Sequence, residues 1–105
     1  MPKGTADAVY LAAVFEHLQA VLEEFRPELV LYDAGVDVHM DDDLGNFCIS
    51  WDGLRKREEM VLQLCVSKGI PIAFVIGGGY HRNAKHLSKR HALVFHAAAK
   101  LYRGL

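Results

Sequence analysis

The first stretch of the chain that could do chemistry is residues 33–45, which are rich in carboxylates. Its five aspartates and one histidine are Asp33, Asp37, Asp41, Asp42, Asp43 and His39. Carboxylate oxygens beside an imidazole suit zinc or another divalent cation, so this stretch is a candidate metal site. The residues by themselves leave a second interpretation open, in which the same aspartates form a solvated acidic loop.

The second such stretch is a run of three glycines followed by a tyrosine: Gly77, Gly78, Gly79 and Tyr80. Glycines adopt backbone angles closed to other residues and let a substrate approach the main chain closely. A tyrosine held by them could donate its phenolic hydrogen to a developing oxyanion. A flexible turn that ends a strand remains the alternative. A Walker phosphate loop is excluded because no Gly-Lys-Ser/Thr follows the glycines.

The other potential metal ligands favour structural roles. Four histidines recur every five residues, at His81, His86, His91 and His96. Steps of five turn each side chain by about 140° on a helix, whereas helical zinc pairs need steps of three or four. His91 falls on an apolar stripe, which is typical of a hydrogen-bonded core histidine. Cys48 and Cys65 lie within apolar stretches, and we expect two reduced thiols in the core.

Three helices and two strands must position these loops. Apolar residues at steps of three and four predict helices over residues 5–25, 51–68 and 84–101. Thr5 or Asp7 is the predicted N-cap of the first helix, and Pro27 blocks its continuation. Ser50 is the predicted cap of the second helix, and Gly69 supplies its left-handed end.

Unbroken apolar runs at residues 29–32 and 70–76 predict two strands of a parallel sheet, which needs cover on both faces. The element order helix-strand-helix-strand-helix predicts a single domain over residues 1–105 with a three-layer α/β fold and a short two-stranded parallel sheet. Both chemically interesting loops then follow the carboxyl ends of strands, where ligands gather in open α/β sheets. A two-stranded parallel sheet leaves both edges open, so the fold looks incomplete.

Three stretches of this sequence resemble the histone deacetylase superfamily, with the smaller bacterial and class-IV-like members most similar. They are PKGTADAVYL at residues 2–11, LVLYDAGVDVHMDDDLG at residues 29–45 and IGGGY at residues 76–80. Together they run through nearly the whole chain in the family's order. The resemblance implies the arginase/deacetylase fold, of which this chain would be the C-terminal part.

The resemblance also implies roles for individual residues. Family members hold a catalytic zinc with two aspartates and one histidine, and Asp42 matches one of those aspartates because it keeps the family's spacing of five from Asp37 and three from Gly45. Asp37 would orient the loop, as carboxylates around metal sites commonly do. Tyr80 matches the catalytic tyrosine that follows the glycine loop. His39 matches a position found in some members and is not expected to be a ligand.

Two family motifs are absent from residues 1–105. The sequence contains no His-His pair, and its one Asp-x-His is Asp37-Val-His39, which belongs to a different loop. The resemblance therefore predicts a C-terminal fragment of a zinc-dependent deacetylase that hydrolyses N-acetyl-lysine or an acetylated amine. We expect the chain to bind no zinc and to be inactive alone, its remaining part preceding Met1. The alternative is a non-catalytic, self-associating module with a deacetylase-derived fold.

Composition narrows the expected partners. The formal net charge is −1, so no strong field steers the chain toward nucleic acid or an anionic membrane, and neither is expected as a partner. Open sheet edges instead favour a homodimer or a complementing chain. No apolar run approaches a membrane span and no signal region is seen, so a cytoplasmic location is predicted.

Overall fold

Three helices and a two-stranded parallel sheet make up the computed structural model, which describes residues 1–103. In chain order the elements are α1 (Asp7–Phe25), β1 (Val30–Asp33), α2 (Trp51–Ser67), β2 (Ile72–Val75) and α3 (Ala84–Arg103). The predicted α/β class, element order and parallel pairing are confirmed.

The predicted helix ends are right for α2 and wrong at the start of α1. The Ser50 hydroxyl accepts a hydrogen bond from the Gly53 amide at 2.9 Å, and Gly69 has the left-handed φ of +70°. The N-cap of α1, however, is Ala6, without a side-chain hydrogen bond. The Asp7 carboxylate instead accepts from the Ser50 amide at 2.8 Å. A tertiary contact between the starts of two helices has therefore replaced a local cap.

The sheet is covered by helices on one face. Val30 pairs with Ile72 and Asp33 with Val75, so side chains alternate between the two faces in register. On one face the sheet residues and the helices α2 and α3 form a cluster of Tyr32, Ala34, Leu62, Ile72, Phe74, Val94, Ala97, Ala98 and Leu101. On the opposite face Leu31 is 78% exposed and Val75 is 62% exposed.

A second core cluster brings α1 and the segment after β1 against α2 and α3. Its buried members are Tyr10, Val36, Ile49, Leu54 and Leu93. Cys65 is fully buried, as predicted, but Cys48 is exposed, so the expectation of two core thiols is wrong for Cys48. The reason is alternation in an extended segment: Ile49 faces the core, which turns its neighbour outward.

Within residues 1–103, no helix combines the length and the hydropathy that crossing a bilayer requires. The cytoplasmic location stays a prediction.

Candidate active site

The carboxylate-rich loop and the glycine loop meet beyond the same end of the sheet. Because β1 and β2 pair in parallel, the segments that follow Asp33 and Val75 leave from one edge. The Asp43 amide donates to the Tyr80 carbonyl at 2.8 Å, and the Tyr80 amide donates to the Asp42 carboxylate. These bonds join two stretches that are 38 residues apart in sequence.

Asp42 is fixed by the backbone around it. The residue is 8% exposed, and its Oδ1 accepts from the Tyr80 amide while its Oδ2 accepts from the Leu44 amide at 3.1 Å. Its own amide donates to the His39 carbonyl at 3.0 Å. One hydrogen bond to each carboxylate oxygen therefore orients the Asp42 side chain.

Tyr80 extends from a backbone conformation that requires glycine. Gly78 and Gly79 have φ angles of +57° and +93°. A Cβ atom on Gly79 would lie 2.7 Å from Val36 Cγ2 and 2.9 Å from Leu87 Cδ1, so the chain also passes too close to the core for a side chain. The Tyr80 residue itself is 58% exposed and is available to a ligand.

Asp37 lies beside the glycine loop, and its side chain is exposed. A Cβ atom on Gly78 would lie 3.0 Å from Asp37 Oδ1, and one on Gly77 would lie 2.4 Å from Asp33 Oδ1. All the predicted site residues are therefore close together along one pair of loops. A polar cavity of about 320 Å³ opens beside them and is lined by Tyr10, Asp33, Gly35, Asp37, Val38, Arg57 and Gly78.

His39 is a buried part of the loop. It is 6% exposed, and its Nδ1 accepts a hydrogen bond from the Asp41 amide at 3.1 Å. Burial and the positive charge of Arg90 lower the pKa of His39, an effect that Asp41 and Asp42 partly offset. A neutral imidazole with Nδ1 as an acceptor shapes the turn that carries Asp42.

Beneath the loops lies a buried network of charged and aromatic groups that sequence reasoning did not find. Arg57 and Glu58, which are 4% and 1% exposed, form a two-pronged ion pair with Nε–Oε1 and Nη2–Oε2 distances of 2.9 and 3.0 Å. Arg57 Nη1 also donates to the Tyr10 hydroxyl at 3.0 Å and to the Gly35 carbonyl at 2.8 Å. The Tyr32 hydroxyl donates to Glu58.

This network ties the first turn of the carboxylate-rich loop to α2. Burial, the dominant cause, raises the pKa of Tyr32 and keeps its hydroxyl a neutral donor. The bond from Arg57 to the Gly35 carbonyl fixes the chain two residues before Asp37. The sequence does contain a feature that indicates this ion pair. Arg57 and Glu58 lie between Leu54 and Val61 on the inner stripe of α2, and charged side chains buried there need partners.

The described residues by themselves do not fit a catalytic zinc ion. Such an ion needs three protein ligands and a water molecule. Among residues 1–103, no three His, Cys, Asp or Glu side chains lie close enough together to hold a metal. Asp42 offers one carboxylate, and the other ligands would have to come from outside these residues.

Comparison with protein families identifies one family. The profile of the histone deacetylase domain matches residues 1–97. An uncharacterised protein of Picosynechococcus sp. is 44% identical over 102 residues, which are 97% of this chain and 34% of the relative. Histone deacetylase 2 of Arabidopsis thaliana is 38% identical over 81 residues, which are 77% of this chain and 21% of the relative.

Two solved structures that superpose on this chain are also deacetylase-type proteins by their names. Acetylpolyamine aminohydrolase from Burkholderia pseudomallei superposes with a TM-score of 0.74 at 26% identity, covering 92% of this chain and 26% of that one. A histone deacetylase homologue complexed with SAHA superposes with a TM-score of 0.69 at 26% identity, covering 93% of this chain and 25% of that one. The chain thus spans about a third or less of the length of these relatives.

Proposed function

This chain belongs to the histone deacetylase family, and from that premise we propose that it forms part of a zinc-dependent deacetylase site. In this proposal Asp42 is one of three zinc ligands and Tyr80 is the hydrogen-bond donor to the reacting carbonyl. The other ligands lie on polypeptide that the relatives have and this chain lacks. The chain is therefore inactive by itself.

The observation that carries the proposal is the direct bond between the two loops. The backbone amide of Tyr80 donates to Asp42, so the candidate ligand and the backbone of the candidate catalytic tyrosine are in direct contact. That unit lies beyond the carboxyl ends of parallel strands, where α/β proteins place ligands. A zinc ion completed by ligands from outside these residues would be held in part by Asp42 and would supply Lewis-acid chemistry there.

Tyr80 would act on the oxygen of the amide being hydrolysed. Addition of water to an acetyl carbonyl places negative charge on that oxygen, and a phenolic hydrogen aimed at it lowers the barrier. The carbon–nitrogen bond then breaks to release acetate and an amine. Because the Burkholderia neighbour is an acetylpolyamine aminohydrolase and the Arabidopsis relative is a histone deacetylase, acetylated polyamines and acetyl-lysine are the two substrate classes to test.

A chimeric protein tests this assignment. The matched 102 residues of the Picosynechococcus relative would be replaced by those of the present chain. We expect about one zinc ion per chain by elemental analysis, as for a site with three protein ligands. Asp42→Asn should lose the zinc, whereas Tyr80→Phe should keep it and lower kcat by roughly 10²- to 10³-fold on acetyl-lysine peptides or acetylpolyamines.

His96→Gln is the control, since His96 is exposed on α3 and outside the site. Zinc content and kcat of this control should match those of the unaltered chimera. An Asp42→Asn chimera that retains full zinc would show that Asp42 is not a ligand. Unchanged kcat in Tyr80→Phe would remove the proposed role of Tyr80.

A further inference from the structure

Positive and negative side chains are separated along this chain. All 13 aspartates and glutamates precede Met60, whereas seven of the 12 lysines and arginines follow it. The part of the chain from Met60 onward therefore carries only basic charged side chains, although the formal net charge of the whole chain is −1. Net charge averages over this separation, so it does not exclude an anionic partner for one face of the molecule.

Four of these cations lie in a row on α3. We define the basic stripe as Lys85, Lys89, Lys100 and Arg103, which are all exposed. Steps of 4, 11 and 3 positions return to the same side of an α-helix, so the four side chains form one row that is about 27 Å long. Among residues 1–103, the one ion pair that the stripe makes is Lys100 with Glu59 of α2, at 3.2 Å.

Exposed aromatic side chains form a second row on the same helix. Phe95 and Tyr102 are 54% and 79% exposed and lie two helical turns apart. An edge-to-face contact with Phe74, at a centroid distance of 5.1 Å, holds the Phe95 ring. At 100° per residue, small side chains separate this row from the basic stripe, and they belong to Ser88, Ala92 and Ala99.

Single-stranded nucleic acid has the chemistry that fits both rows. Its phosphates carry regularly spaced negative charges, which lysine and arginine neutralise with release of counterions. Its unpaired bases stack on exposed aromatic side chains, with little preference for sequence. An anionic membrane fits less well, because α3 exposes only two large apolar side chains for insertion. An acidic peptide would supply the charges but not a regular series of planar rings.

The charge of the basic stripe also indicates that further polypeptide of the domain does not cover it. Burying a cation without a partner is strongly unfavourable. Lys85, Lys89 and Arg103 have no ion-pair partner within the described part of the chain, residues 1–103. The row therefore remains available to a soluble anionic ligand.

We propose that the exposed face of α3 binds single-stranded nucleic acid without sequence preference, with the phosphates on the basic stripe and the bases on Phe95 and Tyr102. This binding is independent of the zinc site, because neither Asp42 nor Tyr80 lies on α3. Four cations contact about four phosphates. The logarithm of the association constant should therefore fall with the logarithm of the salt concentration with a slope of roughly −3.

Fluorescence anisotropy of a labelled oligothymidine of about 16 nucleotides measures this binding. We expect the chain to bind this strand at low salt and to bind it roughly fivefold or more weakly within a duplex, where the bases are not free to stack. Lys85→Gln combined with Lys89→Gln should lower the affinity roughly tenfold and reduce the salt slope by about half, because two phosphate contacts are lost. Tyr102→Ala should lower the affinity by roughly 5- to 100-fold without changing the salt slope, because it removes only stacking.

Each variant has a matched control outside α3. Lys3→Gln combined with Arg26→Gln removes the same number of positive charges, and Phe25→Ala removes an aromatic ring that is 82% exposed on α1. Both controls should bind the strand as the unaltered chain does. Since all these positions are exposed, every variant should unfold in urea like the unaltered chain when followed by fluorescence of Trp51, the one tryptophan in the sequence.

Several results would overturn the proposed binding. One is that the chain does not bind the strand at low salt, or that Lys3→Gln with Arg26→Gln weakens binding as much as the change in the basic stripe. Full affinity in Tyr102→Ala, or a duplex bound as tightly as the single strand, would contradict the role of the aromatic row. Equally tight binding to phosphatidylserine vesicles or polyglutamate would identify a different anionic partner. Binding that is lost in the chimera would show that the rest of the domain covers this face.

Discussion

Two arginines are buried in this small chain, and they differ in what surrounds them. Arg57 is 4% exposed and has partners for its guanidinium in Glu58, Tyr10 and the Gly35 carbonyl. Arg90 is 3% exposed, and its Nη1 has no hydrogen-bond partner among residues 1–103. A buried charge without a partner lowers the free energy of unfolding. For a buried ion pair, the large loss of stability occurs when one partner is removed and the other charge is left unpaired.

Replacing each arginine by methionine should therefore have different effects. Arg57→Met leaves Glu58 buried without its counter-ion, and we expect the free energy of unfolding to fall by about 3 kcal/mol. Arg90→Met removes a desolvated charge, so the free energy should change by less than about 1 kcal/mol or increase. Urea unfolding followed by Trp51 fluorescence measures both. A larger loss in Arg90→Met than in Arg57→Met would contradict this account.

A pH dependence is expected from His39. Its pKa in the folded chain lies below the ordinary value of 6.5, first because of burial and then because of Arg90. The unfolded chain therefore takes up the proton at higher pH than the folded chain does. Stability from this residue is complete above about pH 6.5 and is lost as the pH falls toward the folded-state pKa.

Protonation would also remove the acceptor for the Asp41 amide. Unfolding free energies measured between about pH 7.5 and pH 5 should fall less steeply in His39→Gln than in the unaltered chain. His96→Gln, at an exposed position of α3, serves as the control and should keep the original slope. An unchanged slope in His39→Gln would show that His39 is not the group responsible.

At the scale of elements, the loop between β2 and α3 is where backbone geometry is most restricted. Gly79 has φ +93°, and a Cβ atom there would collide with Val36 and Leu87. Gly69 has φ +70° at the end of α2, but a Cβ atom there would meet nothing within 4 Å. Substituting these two glycines therefore distinguishes the free-energy cost of a positive φ alone from the additional cost of a steric clash with the core.

Alanine substitutions at these glycines should differ in the same way. Gly69→Ala carries only the left-handed penalty of about 1 kcal/mol. Gly79→Ala adds overpacking against the core, so we expect a loss of roughly 2–4 kcal/mol together with displacement of Tyr80. Urea unfolding gives the energies, and amide hydrogen exchange at Tyr80, whose amide is bonded to Asp42, reports the displacement. Equal losses in the two variants would contradict the close-approach argument.

At the scale of the whole molecule, the chain buries its apolar side chains incompletely. Two clusters form its core, one around Leu62 and Val94 and the other around Ile49 and Leu54. Both use the inner faces of α2 and α3, and neither reaches Leu31 or Val75 on the far side of the sheet. Within residues 1–103, helices therefore cover one face of the parallel sheet and leave the other face exposed.

The sequence by itself determined the elements and the approximate place of the site. Periodicity identified α2 and its stripe of Leu54, Val61 and Cys65, because a helix that packs on a core must repeat its apolar residues every three or four positions. Unbroken apolar runs identified both strands. Parallel order then implied that the loops with Asp42 and Tyr80 leave the same sheet edge.

Tertiary structure decided the contacts between residues that are distant in sequence. The bond from the Tyr80 amide to Asp42, the Arg57–Glu58 pair with Tyr10 and Tyr32, and the contact of Asp7 with Ser50 join separate elements. The spacing of apolar residues predicts which face of an element is buried. It does not predict which polar groups of other elements that face will contact. The orientation of Cys48 away from the core and the uncovered face at Leu31 were decided in the same way, because each depends on which neighbours the folded chain supplies.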